Sequence, residues 1–403
     1  MKEKAENVLR KALAVIAVAL FAVCAAAAAM FVPSAHARAE GLNTEGKSAY
    51  LVDAATGTVL YAKNENARLP IASMVKIMTV LLTLEAVDRG ELSLDEEVYV
   101  SENAASMGGS QIFLDAGTRH RAADLLKSVV VASANDSCIA LAERISGSVE
   151  GFVNDMNARA AELGMKDTNF VNCTGLPAAE GFSTAKDVSV MFREVIKHPV
   201  YFEDAGVWLE DYTHPDGRLT TMTNTNKLVR FYNGCDGGKT GFTSEAKFCL
   251  SATAERDGLR TVAIVIGADS SKGRFNAVST MFNYAFGNFR SQKFVAAGES
   301  VGDVRVSGGK ERRVDVTVSE DVTVLVPRND KSEAELRIEL PDKIKAPVKA
   351  GDAVGKGYVV REGNIEREFD LVAARDVERA SLWDLIKRIG SPRLPAGRRA
   401  AAR

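Results

Sequence analysis

The segment Pro70-Ile71-Ala72-Ser73-Met74-Val75-Lys76-Ile77-Met78-Thr79 runs straight into Val80-Leu81-Leu82-Thr83-Leu84, and so long an apolar run reads as a buried helix. Ser73 and Lys76 stand three residues apart. On a helix such positions share a face one turn apart, so the Ser73 hydroxyl and the Lys76 amine can meet. A serine beside an amine is an activated nucleophile that needs no histidine. The pattern is weak by itself: about one Ser-x-x-Lys arises by chance in a chain of this size, and the spacing recurs at Ser183–Lys186 and Ser244–Lys247. The rest of the chain has to choose among them.

The 403 residues are too many for one small core and suit a large domain with a smaller companion. A hydrophobic content of 46% and a charged content of 26% are those of a folded globular protein, and a net charge of -2 gives no argument for nucleic acid. The first residues carry Lys2, Lys4, Arg10 and Lys11, then an apolar stretch from Ala12 to Val32, then Ala35-His36-Ala37. This is the layout of an export signal (1–37) cleaved after Ala37, with an uncleaved anchor as the alternative. Cys138, Cys173, Cys235 and Cys249 remain beyond it. They lack Cys-x-x-Cys spacing and have no neighbouring histidines, so free, partly buried thiols are expected and a metal site is not.

Downstream of the opening segment, Ser101 to Thr118 is rich in Gly, Ser and Asn and reads as loop. Ala122–Val131, Asp136–Ile145, Phe152–Leu163 and Asp187–His198 have helical spacing, the last closed by Pro199. Before it, Ser48 to Lys63 reads as two strands about a turn. Strands joined by turns are expected between Leu209 and Asn226, and Phe248–Ala254 and Leu259–Ala268 are strand candidates ahead of a helix at Val278–Phe289. Strand, helices, strands and helix together imply one mixed sheet built from both ends of a domain spanning 38–292. From about Gln292 the texture changes: Val314, Val316 and Val318, then Leu336, Ile338 and Leu340, alternate with polar residues, the mark of an all-β domain over 293–374. In the final stretch, 375–403, Leu382, Leu385, Ile386 and Ile389 fall on one helical face, and six basic residues with no acidic one follow from Leu385 to Arg403. Such a terminus suits an anionic membrane surface.

Two more patterns decide among the serines. Lys239-Thr240-Gly241 occurs once, and Ser133-Ala134-Asn135 lies between Ser73 and it, competing only with Ser101-Glu102-Asn103. The order Ser-x-x-Lys, Ser-x-Asn, Lys-Thr-Gly resembles that of the penicillin-interacting serine enzymes. Tyr50 to Thr83, Met107-Gly108-Gly109-Ser110, Leu163-Gly164-Met165, Thr174-Gly175-Leu176 and Gly234 to Ser244 are similar to the D-alanyl-D-alanine carboxypeptidases, the low-molecular-mass penicillin-binding proteins. Thr213-His214-Pro215-Asp216-Gly217 and the Asn-Gly-Cys-Asp-Gly-Gly approach to Lys239 resemble Gram-positive and sporulation-associated members.

The resemblance implies an α/β (α+β) catalytic domain of β-lactamase/transpeptidase-like type, its sheet mostly antiparallel with helices on both faces and a helical subdomain. It implies a small all-β domain and an amphipathic C-terminal helix after it. The implied reaction removes the terminal D-alanine from peptidoglycan peptides through an acyl-enzyme on Ser73, with penicillins as covalent inhibitors. Lys76 is then the base, Ser133 the proton relay and Asn135 the group that holds Lys76 and the substrate amide. Lys239 and Thr240 receive the substrate carboxylate, Gly241 lets a strand edge approach the peptide, and the N–H groups of Ser73 and Phe242 form the oxyanion hole. Arg274 is either near the carboxylate or on the surface. No cofactor, metal or nucleic-acid partner is implied, and the work lies at the outer face of the cytoplasmic membrane.

Other readings remain to be tested against the structure. A β-lactamase shares the three motifs, but Glu162 to Gly181 lacks its Glu-x-x-Leu-Asn pattern, so a long-lived penicillin adduct is expected. A non-catalytic wall-binding protein would keep the fold. Gly-Gly-Lys-Thr at 237–240 is no phosphate loop, because its first glycine would fall on Asn233. His120, His198 and His214 lie far apart, each expected to be structural or exposed. Val75 and Gln111 depart from the family's usual residues near the site.

Overall fold

Every residue of the first strand, Ser48 to Asp53, is buried. Side chains alternate across a strand, so a strand buried throughout must be covered on both faces. The computed structural model describes residues 42–381, 383 and 384. The export segment expected from the sequence lies outside them, and so does the expected C-terminal stretch apart from 375–381, the exposed Trp383 and Asp384.

In chain order the elements are β1 (Ser48–Asp53), β2 (Val59–Lys63), one turn of 3-10 helix (Ala72–Val75) leading into α1 (Lys76–Asp88), β3 (Glu97–Tyr99) and α2 (Glu102–Ala105). Then come β4 (Arg119–Arg121), α3 (Ala122–Val131), α4 (Asn135–Ser146), α5 (Val149–Glu162), α6 (Ala185–Val195) and α7 (Pro199–Ala205). They are followed by β5 (Leu209–Thr213), β6 (Leu219–Thr223), α8 (Leu228–Phe231), β7 (Cys235–Thr243), β8 (Lys247–Arg256), β9 (Leu259–Ala268) and α9 (Ser271–Asn288).

A five-stranded sheet runs β2-β1-β9-β8-β7, with every neighbouring pair antiparallel and β7 on its outer edge. Tyr50, Val52, Val262 and Ile264 point into a core shared with α1, α3, α4, α5 and α6. The alternate residues Ala49, Leu51, Ala263 and Val265 point the other way, onto Val278, Met281 and Phe282 of α9. Helices therefore cover both faces, as the motif order implies. Helix α1 is buried from Lys76 through Leu84, so it is covered all round and shows no solvent-facing polar side there.

The sequence reading needs four local corrections. The opening helix is broken: Ser73 sits in the 3-10 turn and only Lys76 begins the α-helix. The stretch read as loop contains α2, capped by the Ser101 hydroxyl on the N–H of Ala104 at 3.0 Å. Pro199, expected to close a helix, instead opens α7 at a position where a helix needs no N–H donor. Finally, α9 starts at Ser271, where Ser270 accepts from the N–H of Gly273 at 2.9 Å.

Beyond α9, every labelled element is a strand: β10 (Phe289–Val295), β11 (Ser300–Ser307), β12 (Arg313–Thr317), β13 (Val322–Pro327), β14 (Ala334–Glu339), β15 (Lys343–Lys345), β16 (Ala353–Arg361) and β17 (Asn364–Ala373). β10 pairs with β13, and the other strands form a six-stranded sheet ordered β14-β16-β17-β12-β11-β15. Its interior is dominated by valine, from Val304 and Val306 through Val314, Val316 and Val318 to Val326. Among the described residues, no helix is long and apolar enough to cross a membrane.

Candidate active site

Ser73 is carried on a strained turn. Ala72 has φ +48°, in the left-handed region that residues with a Cβ seldom enter, and the Met74 N–H donates back to Ile71 O at 3.2 Å. Two glycines allow the neighbours to close on this turn. A Cβ on Gly175, itself at φ +78°, would lie 2.0 Å from Ala72 O, and a Cβ on Gly241 would lie 2.6 Å from Ile71 O. Gly241 thus brings β7 against the main chain of the turn that carries Ser73.

The Lys76 amine donates to Ser73 Oγ at 3.2 Å, to Asn135 Oδ1 at 2.6 Å and to Thr174 O at 2.6 Å. Lys76 has no solvent exposure. Burial pulls its pKa below the ordinary lysine value, with Cys138, Cys173 and Asp136 acting in the opposite sense. A lysine so placed is readily neutral, and a neutral amine can take the Ser73 proton.

Ser133 lies between α3 and α4 at φ +65°, a second left-handed residue with a Cβ. Lys239, on β7, donates to Ser133 Oγ at 2.7 Å and to Thr240 O at 3.2 Å. Burial pulls Lys239 well down, and repulsion from Lys76 and then from Arg274 adds to it. Burial holds both amines below the ordinary lysine value, and the charge on Lys76 opposes a second charge on Lys239.

The chain brings Ser73, Lys76 and Asn135 into one linked set and Ser133 and Lys239 into a second, adjoining one. Thr240 is buried on the same strand, whereas Phe242 is 55% exposed and stacks on Phe248 with ring centroids 4.4 Å apart. Arg274 is not a surface residue. Its Nη1 donates to Gly241 O at 3.1 Å and to Cys249 O at 3.2 Å, between the rings of Phe248 and Phe275, and burial pulls its pKa down to about 10. Its Nε is buried without a partner. Beside Ser73 a groove is lined by Ile71, Val75, Asn172, Leu176, Thr243 and Glu245, so Val75 faces it.

Sequence reading missed the groups that hold this set. Asn172 accepts from the N–H groups of Thr174 and Gly175 at 3.1 and 2.6 Å, shaping the turn whose carbonyl receives Lys76. The Thr79 hydroxyl ties the same turn to α1 through Cys173 O at 2.7 Å. Thr174-Gly175 was legible as a family-like dipeptide, but a main-chain acceptor has no signature in residue type. Cys138, Cys173, Cys235 and Cys249 are free as expected, but fully rather than partly buried; burial raises all four thiols, Cys138 to about 11. His120 and His214, distant in sequence, lie 6.3 Å apart by ring centroid and are both buried, and His198 pairs with Asp88 at 2.9 Å.

The profile of the D-alanyl-D-alanine carboxypeptidase family matches residues 34–270, and that of the penicillin-binding protein 5 C-terminal domain matches residues 289–379. A D-alanyl-D-alanine carboxypeptidase of Bacillus subtilis (strain 168) is 40% identical over 365 residues, 89% of this chain and 94% of that one. One from Haemophilus influenzae is 30% identical, over 83% of this chain and 86% of that one. The crystal structure of penicillin binding protein 5 from Haemophilus influenzae superimposes with a TM-score of 0.67 at 30% identity, over 84% of this chain and 98% of that one.

Proposed function

The chain belongs to the D-alanyl-D-alanine carboxypeptidase family, and on that premise we propose that it removes the terminal D-alanine from peptidoglycan peptides through an acyl-enzyme on Ser73. The observation that carries this reading is the Lys76 amine: fully buried, depressed, and 3.2 Å from Ser73 Oγ. Ser73 Oγ bonds to the carbonyl carbon between the two D-alanines while its proton passes to Lys76 Nζ. The carbonyl oxygen takes the negative charge beside the N–H groups of Ser73 and Phe242. The C–N bond then breaks, and the leaving amine takes a proton through the Ser133 hydroxyl. Water hydrolyses the ester and frees Ser73.

Lys239 and Thr240 receive the substrate carboxylate. That carboxylate also orders the charges: it stabilises the Lys239 ammonium, and repulsion across the site then keeps Lys76 neutral. Arg274 adds positive charge behind β7. The groove along Ile71, Val75, Leu176 and Glu245 suits the peptide upstream of the two alanines.

A penicillin presents the same carboxylate and a reactive carbonyl, so it acylates Ser73. Among the described residues, no carboxylate is bonded to Ser73 or Lys76, which argues against rapid β-lactam hydrolysis. The intact serine–lysine contact argues against a purely binding role. This substrate class lies outside the cytoplasmic membrane. Export by the N-terminal apolar run and surface attachment by the 382–389 pattern are supported by sequence alone.

The test incubates the purified protein and Ser73→Ala with fluorescent penicillin and with a D-Ala-D-Ala peptide. The wild type is expected to hold label and release D-alanine, and the variant to lose both by about 10^4-fold. Label and D-alanine release that survive in Ser73→Ala would overturn the assignment.

A further inference from the structure

Asn135 is held by the main chain of the loop between α2 and β4. Its N–H donates to Ser110 O at 2.7 Å, and its Nδ2 donates to Gly108 O at 2.7 Å. The loop in turn is gripped from inside by one side chain. Asp136 has no exposure, and it accepts from the N–H of Ile112 at 3.1 and 3.3 Å, of Leu114 at 3.1 Å and of Ser137 at 2.9 Å. Burial raises its pKa, but both of its oxygens face N–H donors that act in the opposite sense and favour the carboxylate, and it stands in the first turn of α4, where the helix dipole favours negative charge. Phe113, between the two gripped residues, is forced to φ +64° and left 53% exposed. From outside, the β5–β6 hairpin holds the same residues: Arg218 Nη2 donates to Phe113 O at 3.0 Å and to Asp115 at 2.6 Å, and Thr220 Oγ1 donates to Ile112 O at 3.3 Å.

We propose that Asp136 is a positioning residue for acylation: it fixes the 108–114 loop so that Gly108 and Ser110 hold Asn135, and Asn135 holds the Lys76 amine against Ser73. The proposal rests on reading Ser73 as nucleophile and Lys76 as base. Without the carboxylate, three N–H groups turn toward nothing, the loop relaxes, and the 2.6 Å contact from Asn135 to Lys76 loses its support.

A second effect separates this role from a merely structural one. The groups facing Lys76 are Asp136 and Cys138 on α4, Cys173 in the turn before Thr174, and Lys239 on β7. Burial keeps both thiols protonated at neutral pH, so Asp136 supplies the negative charge that favours the Lys76 ammonium. Removing that charge makes the amine less basic. The acid limb of the acylation profile, which rises as Lys76 loses its proton, then moves to lower pH.

The experiment measures the second-order rate of labelling by fluorescent penicillin from pH 5 to 10, together with the melting curve, for wild type, Asp136→Asn, Arg218→Ala and Ser73→Ala. Asp136→Asn is expected to melt cooperatively, to acylate about 10- to 100-fold more slowly, and to show its acid limb at lower pH. A rate within twofold of wild type, or a slower rate with an unmoved limb, overturns the proposal. If Asp136→Asn does not fold, Arg218→Ala decides, because it frees the loop from outside and leaves the buried charge in place. Several-fold slower labelling with an unmoved limb supports the loop's role, and an unchanged rate overturns it. Labelling that persists in Ser73→Ala overturns the nucleophile assignment instead, a result distinct from either of these.

Discussion

The interior around Ser73 encloses two amines, a carboxylate and several hydroxyls, whereas the interior of the β10–β17 module is built largely from valine. In the module most charges stay outside, as where Lys356 pairs with Glu368 at 3.0 Å and Asp370 at 2.8 Å, all three well exposed, and the buried Arg361 is paired with Glu366 at 2.7 Å and Asp330 at 3.1 Å. Around Ser73 the charges are inside, and depressed amines and left-handed residues such as Ala72 and Ser133 are held there by the packing around them. Stability in the first region has been given up for reactivity, while the second has nothing to trade. Substitutions should therefore separate rate from stability in opposite ways in the two regions.

The largest separation is expected at Lys76→Met. Acylation should fall by about 10^3-fold or more, while the melting temperature holds or rises because a buried amine has been removed. A melting temperature that falls with the rate would break the contrast. The wild type carries a pH signature of the same fact. The unfolded chain binds more protons than the folded one between the depressed amine pKa values and the ordinary lysine value of 10.5, so stability rises as pH climbs through that window. In Lys76→Met the slope of melting temperature against pH should be shallower.

Gly175→Ala comes next. Its Cβ would meet Ala72 O at 2.0 Å, so the turn that carries Ser73 must shift, and about 10^2-fold should be lost in acylation along with some stability. Near-normal labelling would mean that the turn tolerates displacement. The smallest effect on rate is expected at Val316→Ala, in the valine core. It should cost about 1–3 kcal/mol in the module's unfolding and leave acylation within twofold. A loss of acylation there would show that the two regions are coupled.

Much of this was legible before any coordinates. Ala122–Val131 is read from its helical spacing and Leu259–Ala268 from an apolar run set off by a turn, and these are the bounds of α3 and β9. Ser73, Lys76, Asn135, Ser133 and Lys239 are legible because each contributes a side chain of distinctive chemistry in a fixed order. The break at Ser73 is not legible: the apolar run is uniform, and the glycine that lets a neighbouring loop press on the turn lies about a hundred residues away. Asp136 was read only as a residue in a helix, since its partners are main-chain N–H groups of a loop without periodicity. His120 lies on β4, paired with β3, and His214 follows β5 of the β5–β6 hairpin, and no spacing encodes their meeting.

The outer strand β7 has one further consequence, for how the protein behaves at high concentration. A free strand edge is a template on which another chain can add itself, and an apolar sheet with such an edge invites association. Here Gly237 O accepts from Asn226 Nδ2, Gly238 N donates to Tyr201 Oη, Thr240 O accepts from Lys239 and Gly241 O accepts from Arg274. The main chain left for a visiting strand is only a few residues long. So short an edge offers a second copy of the protein little to pair with, and the same contacts keep the sheet from growing.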